Sequence, residues 1–276
     1  MKFSDKVAVI TGAGGVLCSV FAKALAENGA KVVLLDLYEE SAKRVADEIK
    51  QNGGYALYYG CNVLDLDGLE AVRSDIKAKL GECDILVNGA GGNSPKATVA
   101  NEYYSIGDEE KKEIKTFFNL GKQDFEDVFS LNLTGTLLPT QVFAKDMLKK
   151  GGTILNIASM NAFRPLTKIP AYSGAKAAVK NLTEWLAVHF ATSGIRVNAI
   201  APGFFVTKQN KSLLFDENGN PTPRTEKIIN ATPMRRFGEP EELVGALLWL
   251  CDDSASGFVT GITVPVDGGF SAYSGV

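Results

Sequence analysis

The chain of 276 residues can form one large α/β domain or two small ones, and its 45% hydrophobic and 22% charged residues are typical of a globular protein. Its 29 Lys and Arg against 32 Asp and Glu give a formal net charge of -3, so no basic excess favours nucleic-acid binding. Without a signal peptide pattern or an apolar run of the roughly 20 residues that span a bilayer, we expect a cytoplasmic protein that does not enter the membrane.

The first part of the chain alternates short apolar strands with amphipathic helices. In chain order, we predict a strand at residues 6–10, a helix at 16–28, a strand at 31–36, a helix at 41–52, a strand at 55–59, a helix at about 67–80 and a strand at 85–88. The first two helices end at Asn28-Gly29 and Asn52-Gly53-Gly54, as glycine-terminated helices do.

The alternation continues in the second part of the chain. We predict a long helix at residues 125–150, a strand at 153–157, a helix at 172–193, a strand at 196–200, a helix at 239–251 and a strand at 262–266. Continuous apolar strands between helices indicate a parallel sheet that is covered on both faces. The predicted fold class is therefore α/β, a doubly wound Rossmann-type parallel sheet flanked by helices, with residues 1–276 forming a single domain.

Two long stretches interrupt the alternation, at about residues 93–124 and 203–238. Long connections in compact domains are uncommon and are often functional. Both stretches follow strand ends on the side of the sheet where ligands bind in open α/β folds. We therefore expect them to form the walls of a substrate site.

The cysteines and the histidine limit the chemistry that the chain can perform. Cys18, Cys61, Cys83 and Cys251 form no CxxC pair, and His189 is the only histidine. No metal site is predicted, and a histidine-based catalytic triad is excluded as well, because both need clustered residues that this chain lacks. Scattered cysteines predict reduced thiols.

A glycine-rich turn links the first strand to the first helix. It reads Thr11-Gly12-Ala13-Gly14-Gly15. Glycines let the backbone approach a pyrophosphate, and the amides of a helix N-terminus meet its negative charge. A turn of this kind is also an ordinary strand–helix connection, so it needs a second signal before it indicates a cofactor site. The candidates in this segment are Gly12, Gly14, Gly15, Val16 and Leu17.

Asp36, at the end of the second strand, is that second signal. A carboxylate there can accept hydrogen bonds from both ribose hydroxyls and repels a 2′-phosphate, which predicts NAD rather than NADP. No Arg or Lys flanks Asp36 or lies within the glycine turn to receive such a phosphate.

A phenol and an ammonium lie one helical turn apart in Tyr172-Ser173-Gly174-Ala175-Lys176. A neighbouring cation favours phenolate, so we expect the pKa of Tyr172 to be lowered and Tyr172 to act as a general acid and base on an alcohol–ketone pair. Ser159, just after the strand at 153–157, could hold the substrate oxygen. An exposed Tyr–Lys pair on a helix is the ordinary alternative, but Ser159 and the glycine turn on the same sheet favour catalysis.

Along essentially its whole length the chain resembles the short-chain dehydrogenase/reductase family, including Asn88-Gly89-Ala90-Gly91 and the segment from Pro202-Gly203 to Thr207. The resemblance implies that Asn132 anchors a water in a proton relay to Lys176, and that Lys176 also binds the nicotinamide ribose. It implies a catalytic set of Asn132, Ser159, Tyr172 and Lys176. It further implies cofactor contacts from Asn62, Val63, Asn88, Ala90, Tyr172, Lys176, Pro202, Gly203, Phe205 and Thr207. Members commonly form homotetramers through the helices that correspond to residues 125–150 and 172–193.

The chain departs from the family pattern at the glycine turn. The usual motif is TGxxxGxG, whereas Val16 and Cys18 stand at its two later glycine positions. Cys18 can be interpreted as a redox switch or as a small buried residue in helix–strand packing, and we favour the second interpretation. After the third strand, Asn62 replaces the frequent Asp and can still contact the adenine.

A closer resemblance is to the D-mannonate oxidoreductase branch of this family. It rests on residues 89–96, 159–165, 201–205 and 266–276, and it implies interconversion of D-mannonate and D-fructuronate. A sugar acid needs cations for its carboxylate and polar groups for its hydroxyls. The substrate-site candidates are Asn93, Ser159, Asn161, Arg164, Lys168, Lys208 and Asn210. Each of these cations could equally be a solvated loop charge.

Three functions remain open from the sequence. The first is the sugar-acid dehydrogenase, and the second is a gluconate, polyol or ketose dehydrogenase with the same catalytic residues. The third is a non-catalytic NAD-binding sensor. The Tyr172–Lys176 pair argues against the sensor, because a binding module has no need for an activated phenol.

Overall fold

The computed structural model describes residues 2–206 and 214–275. Its centre is a 7-stranded parallel sheet in the order β3-β2-β1-β4-β5-β6-β7. This architecture confirms the predicted fold class. The strands are β1 (Val7–Thr11), β2 (Lys31–Asp36), β3 (Tyr55–Gly60), β4 (Ile85–Asn88), β5 (Gly152–Ile157), β6 (Ile195–Pro202) and β7 (Thr263–Val266).

Helices connect the strands and cover both faces of the sheet. They are α1 (Val16–Glu27), α2 (Glu39–Gln51), α3 (Leu66–Leu80), α4 (Lys122–Phe129), α5 (Gly135–Met147), α6 (Pro170–Phe190), α7 (Pro223–Ala231), α8 (Val244–Cys251) and α9 (Asp253–Ser256). Residues of α1, α2 and α8 share one buried core, and residues of α3, α5 and α6 share the other.

Strand β1 shows why the sheet has two cores. Ala8 and Ile10 pack into the core beside α1, whereas Val7 and Val9 pack into the core beside α3. Successive side chains of a strand point to opposite faces, so a strand that is buried on both faces must be apolar throughout. Strands β2 and β3 lie on one side of β1, whereas β4 and the later strands lie on the other side. The strand order therefore reverses between β1 and β4, which opens a crevice at the carboxyl ends of these two strands.

The long helix predicted at residues 125–150 is divided. Helix α4 begins at Lys122, a π-helical turn spans Ser130–Thr134, and α5 follows from Gly135. A π-turn keeps helical hydrophobic periodicity nearly intact, so the pattern of apolar residues could not reveal it. Such turns are frequent at functional sites because they displace backbone groups from the regular helical ladder.

The second long stretch also differs from the prediction, since it contains α7. Thr222 caps this helix through a hydrogen bond from the Thr225 amide, and Pro223 is its first residue. Thr-Pro is a recognisable helix start, but the short polar helix lacks an apolar stripe. Helix α8 is likewise shorter than predicted, because Pro240–Leu243 forms a 3₁₀ turn before it.

None of the helices within residues 2–206 and 214–275 has both the length and the hydropathy of a membrane-spanning segment. Within the same residues, no group of three or more His, Cys, Asp or Glu side chains could hold a metal ion.

Candidate active site

The glycine turn lies against the loop that follows β4. Gly12 has a φ of 64°, a conformation that favours glycine, and a Cβ there would lie 2.9 Å from the Ala90 Cα. A side chain on Gly14 would overlap Ser41 in the first turn of α2. The turn is therefore a bare backbone that is held between two neighbouring segments.

Helix α1 presents an uncapped N-terminus to this turn. Its N-cap residue is Gly15, which has no side chain to make a capping hydrogen bond, and the first turn carries no acidic residue. The free amides at the start of α1, where Val16 and Leu17 stand, suit an anionic group such as a pyrophosphate. This part of the chain therefore fits a dinucleotide.

Asp36 lies beside the glycine turn, at the end of β2. Its Oδ2 accepts a hydrogen bond from the Gly14 amide at 3.0 Å, and its Oδ1 accepts one from the Tyr38 amide at 3.0 Å. These bonds fix the carboxylate at the position expected for binding ribose hydroxyls.

The fold brings a cation to the glycine turn that the sequence did not reveal. Arg44, on α2, donates from Nη2 to the Gly14 carbonyl oxygen at 3.4 Å. Arg44 neither flanks Asp36 in the sequence nor lies within the glycine turn. It reaches the turn from the neighbouring helix.

Cys18 packs inside the site rather than facing solvent. Its thiol occupies the space that a side chain on Gly89 would need, so glycine at 89 makes room for cysteine at 18. Burial raises the pKa of the Cys18 thiol to about 12, which keeps it protonated. A protonated, buried thiol supports the packing interpretation and not the redox switch.

The loop after β4 is fixed by Thr11 and by a buried amide network. Thr11 Oγ1 accepts from the Gly89 and Ala90 amides at 3.0 and 3.2 Å. Asn88 Nδ2 donates to Thr140 Oγ1 and to Asn156 Oδ1, both at 2.9 Å. Both Nδ2 hydrogens of Asn88 are thus used within the protein, and its Oδ1 is buried without a partner among the described residues. A cofactor contact at this position would therefore involve the backbone.

Asn132 lies in the π-helical turn and holds the loop after β4 from the other side. Its Nδ2 donates to the Gly92 and Val128 carbonyl oxygens, both at 2.8 Å, and its Oδ1 accepts from the Gly92 amide at 3.1 Å. Its main-chain carbonyl accepts from Thr136 Oγ1 at 2.9 Å. The side chain is satisfied, so a water that binds Asn132 would have to use the main-chain carbonyl.

Lys176 is buried beside Asn132. Its Nζ donates to the Ile157 carbonyl oxygen at 2.7 Å, and a Cβ on Gly91 would lie 3.2 Å from this Nζ. Burial lowers the pKa of Lys176 to about 8, since desolvation disfavours the charged form of an amine.

Tyr172 and Ser159 lie at the centre of the site. The Ser159 hydroxyl lies close enough to the Tyr172 phenol to favour its phenolate form, and the Lys176 Nζ lies 5.7 Å from the centre of the Tyr172 ring. The Tyr172 ring packs against Ala97 and Val128, which fixes its direction. The structure therefore brings the predicted residues Asn132, Ser159, Tyr172 and Lys176 together in one place.

The expected lowering of the pKa of Tyr172 is wrong for the protein alone. Burial raises this pKa, and the neighbouring Ser159 hydroxyl offsets the rise only in part. Burial lowers the pKa of the Lys176 amine too, so its charge is not permanent, which residue spacing does not reveal. A phenol with a raised pKa is a proton donor, so the site is poised for reduction of a carbonyl.

This arrangement predicts opposite pH dependences for the two directions of catalysis. Lys176 is protonated below about pH 8 and loses its charge above that value, so kcat/KM for carbonyl reduction should fall as the pH rises through about 8. Alcohol oxidation needs the deprotonated phenol and should become faster across the alkaline range. Initial rates in both directions from pH 6 to about 10 test this, and a flat reduction profile would contradict it.

The substrate-site candidates lie on converging loops with different contacts. Asn93 donates to Thr98 Oγ1 at 3.0 Å, whereas Asn161 is buried and its Oδ1 has no hydrogen-bond partner in the described chain. The exposed Arg164 donates to the Tyr273 carbonyl oxygen at 3.4 Å. The Lys168 carbonyl oxygen accepts from the Val99 amide at 2.9 Å, so its segment borders the first long loop.

The remaining cofactor candidates differ in what their side chains do. Asn62 Oδ1 accepts from the Leu64 amide at 3.0 Å, which shapes the turn after β3. Val63 and Phe205 are buried, and the Phe205 ring packs where a side chain on Gly238 would stand. Pro202 ends β6, and Gly203 follows it against Asp267, where a Cβ would lie 2.6 Å from the Asp267 Cα. Candidates outside the described residues are Thr207, Lys208 and Asn210.

The sequence did not reveal the residues that support the site through a buried hydrogen-bond network. Asn156 Nδ2 donates to Thr183 Oγ1 at 2.9 Å, which extends the Asn88 network to α6. Thr140 and Thr136 extend it along α5 to Asn132, each through a hydroxyl that donates to the carbonyl four residues earlier. Their one sequence signal is a polar residue within an apolar segment.

Comparison with known proteins agrees with this geometry. A family model described as Enoyl-(Acyl carrier protein) reductase matches residues 15–271. An "Uncharacterized oxidoreductase" of Haemophilus influenzae is 60% identical over 276 residues, which cover 100% of this chain and 96% of the relative.

Solved structures with the same fold carry bound nucleotides. A "putative D-Mannonate oxidoreductase" from Haemophilus influenzae with bound NAD has a TM-score of 0.96 and 59% identity, covering 100% of this chain and 98% of that chain. A gluconate 5-dehydrogenase from Burkholderia cenocepacia in complex with NADP and tartrate has a TM-score of 0.84 and 30% identity. The match covers 99% of this chain and 97% of that chain. With this fold, this Ser159–Tyr172–Lys176 constellation and these relatives, the chain belongs to the short-chain dehydrogenase/reductase family.

Proposed function

We propose that this protein is an NAD-dependent dehydrogenase that interconverts a sugar acid and its keto form, with D-mannonate and D-fructuronate as the substrate pair. The observation that carries the proposal is the close approach of the Tyr172 phenol, the Ser159 hydroxyl and the buried Lys176 ammonium. This constellation can donate a proton to a carbonyl oxygen and accept it back from an alcohol. NADH supplies the hydride to the carbonyl carbon.

Each catalytic residue has a separate part in the proposed reaction. Ser159 positions the substrate oxygen, and Tyr172 transfers the proton to that oxygen. Lys176, whose Nζ is held by the Ile157 carbonyl oxygen at 2.7 Å, binds the nicotinamide ribose and renews the proton. Asn132 positions the loop after β4 through Gly92 and offers its main-chain carbonyl to a relay water.

NAD is proposed over NADP because of Asp36. Its carboxylate stands at the end of β2, next to the glycine turn, where a ribose hydroxyl would be accepted and a 2′-phosphate repelled. The NAD-bound structure of a 59% identical protein supports this choice. The amides at the start of α1 would take the pyrophosphate.

The sugar-acid assignment draws on the residues that border the catalytic serine. Arg164 and Lys168 supply positive charge there, and Asn161 supplies a buried carbonyl oxygen without a partner among the described residues. An arginine can bind a carboxylate through two parallel hydrogen bonds. The similarity to a D-mannonate oxidoreductase at 59% identity favours mannonate over other sugar acids.

A gluconate 5-dehydrogenase is the second candidate. The specific observation in its favour is the similarity to such an enzyme solved with tartrate, itself a hydroxy acid, at 30% identity. Both candidates use the same catalytic residues, so only the substrate distinguishes them. We further propose a cytoplasmic homotetramer that packs through α4, α5 and α6.

The substrate carboxylate gives a prediction for Arg164. Arg164→Met should lower kcat/KM for the sugar acid by an amount that corresponds to roughly 2–4 kcal/mol of transition-state stabilisation, because the substrate carboxylate is left poorly satisfied. An uncharged ketose never uses this charge, so its turnover should change far less. Steady-state kinetics with both substrates make the comparison. Equal losses on both would assign Arg164 to holding the Tyr273 carbonyl instead.

A substrate panel tests the proposed function. NADH oxidation is followed with D-fructuronate, 5-ketogluconate and uncharged ketoses at matched concentrations. The proposal expects the highest kcat/KM with D-fructuronate. A preference for 5-ketogluconate would instead identify a gluconate dehydrogenase, and turnover of none of them would remove the sugar-acid assignment.

A further inference from the structure

We propose that Arg44 is a second specificity-determining residue of the cofactor site. It supplies the cation that a 2′-phosphate would need, and the Asp36 carboxylate alone keeps that phosphate out. The inference rests on the proposed use of NAD. The inference goes beyond the proposed use of NAD, because it assigns to this chain an existing binding position for the 2′-phosphate of the phosphorylated cofactor.

Gly14 connects the two side chains. Asp36 Oδ2 accepts from the Gly14 amide at 3.0 Å, and Arg44 Nη2 donates to the Gly14 carbonyl oxygen at 3.4 Å. The carboxylate and the guanidinium therefore flank one residue of the glycine turn. A phosphate on the ribose hydroxyl that Asp36 would bind lies next to both.

Helix α2 directs Arg44 toward the turn. Ser41 contacts the turn so closely that a side chain on Gly14 would overlap it. Residues three apart share a face of a helix, so Arg44 lies on the same face as Ser41 and one turn farther along. Its direction is set by the packing of α2 and not by a flexible loop.

Arg44 also keeps its charge available. No carboxylate of the described chain lies within ion-pair distance of it, whereas the adjacent Lys43 is bonded to Asp47 at 2.8 Å. Its one hydrogen bond, to a carbonyl, uses one of five N–H donors. A guanidinium with free donors matches the geometry of a phosphate.

Asp36 excludes the phosphate in two ways. Its negative charge repels a dianion, and its two oxygens occupy the amides of Gly14 and Tyr38. Removing the carboxylate would free both amides beside Arg44. Two backbone donors and a guanidinium would then surround the phosphate position.

The test measures binding of nucleotides that lack nicotinamide, so it does not depend on turnover. Calorimetry compares ADP-ribose with 2′-phospho-ADP-ribose on the parent protein, Asp36→Ala, Asp36→Ala/Arg44→Gln and Asp36→Ala/Lys43→Gln. Lys43→Gln is the matched control, because it removes a neighbouring cation that is already paired. Asp36→Asn, which keeps an acceptor for one amide, replaces Asp36→Ala if circular dichroism shows that the alanine variant is unfolded.

We expect Asp36→Ala to bind 2′-phospho-ADP-ribose at least about tenfold more tightly than the parent, and Arg44→Gln to reverse this by roughly tenfold or more, the range of a hydrogen bond to a charged group. Lys43→Gln should change it by less than about threefold, since exposed ion pairs contribute little. Equal affinity of Asp36→Ala with and without Arg44 would overturn the proposal. A parent that binds neither nucleotide would refute the use of NAD itself, whereas a parent that binds ADP-ribose leaves that proposal intact.

Discussion

Tyr172→Phe should lose about 10²–10⁴-fold in kcat, the contribution of a positioned proton donor. The phenol oxygen is the group that lies beside the Ser159 hydroxyl and would reach the substrate oxygen. The ring itself packs against Ala97 and Val128, and phenylalanine keeps those contacts. Steady-state rates with the best substrate of the panel measure the loss.

Binding measurements separate this loss from a folding defect. NADH affinity, followed by fluorescence, should change by less than about threefold in Tyr172→Phe, because Asp36 and the glycine turn are untouched. Ser159→Ala should also lose activity, since it removes the partner of the phenol. Retention of activity within tenfold of the parent in Tyr172→Phe would remove Tyr172 from its proposed role.

Gly91→Ala should abolish most activity by displacing two of the side chains that we propose as catalytic, Asn132 and Lys176. An added Cβ would lie 2.6 Å from Asn132 Oδ1 and 3.2 Å from Lys176 Nζ. Asn132 is held by three hydrogen bonds to Gly92 and Val128, so it cannot yield without moving the loop after β4. A displacement of about 1 Å in a catalytic site can cost about 10²-fold in rate, and we expect a loss of at least that size in kcat/KM.

The adjacent glycine is the matched control. A Cβ on Gly92 would meet no atom within 4 Å in the described structure, so Gly92→Ala should retain activity within about threefold. Both variants change one glycine of the same loop to alanine, and they share any effect on the unfolded chain. Similar activities in the two variants would show that the space around Gly91 does not matter to catalysis.

The fold was predictable because it depends on patterns that survive in a single sequence. Strands that are buried on both faces, such as β1 and β4, are apolar up to their last residues, Thr11 and Asn88, and the helices between them end at glycines. That Ser159, Tyr172 and Lys176 lie close together was predictable for a related reason. Tyr172 and Lys176 share a helical face by spacing alone, and Ser159 follows a strand whose place in the sheet was clear.

Other features depend on contacts between segments that are distant in the sequence. Arg44 reaches the glycine turn only because α2 packs against it. The π-helical turn at Asn132 shifts the hydrophobic periodicity by only about one residue, so the pattern of apolar residues indicates one continuous helix. The pKa of Tyr172 depends on how deeply the phenol and its neighbouring ammonium are buried, which residue spacing does not reveal.

Hydride transfer itself tests the central claim most directly. NADH that carries deuterium in both hydrogen positions of the reactive nicotinamide carbon is incubated with D-fructuronate and the enzyme, and the product is analysed by mass spectrometry. The account predicts mannonate with one deuterium bound to carbon, formed by the parent protein and nearly absent with Tyr172→Phe. Deuterium that stays in the nucleotide with every substrate of the panel would contradict the assignment as a dehydrogenase of sugar acids.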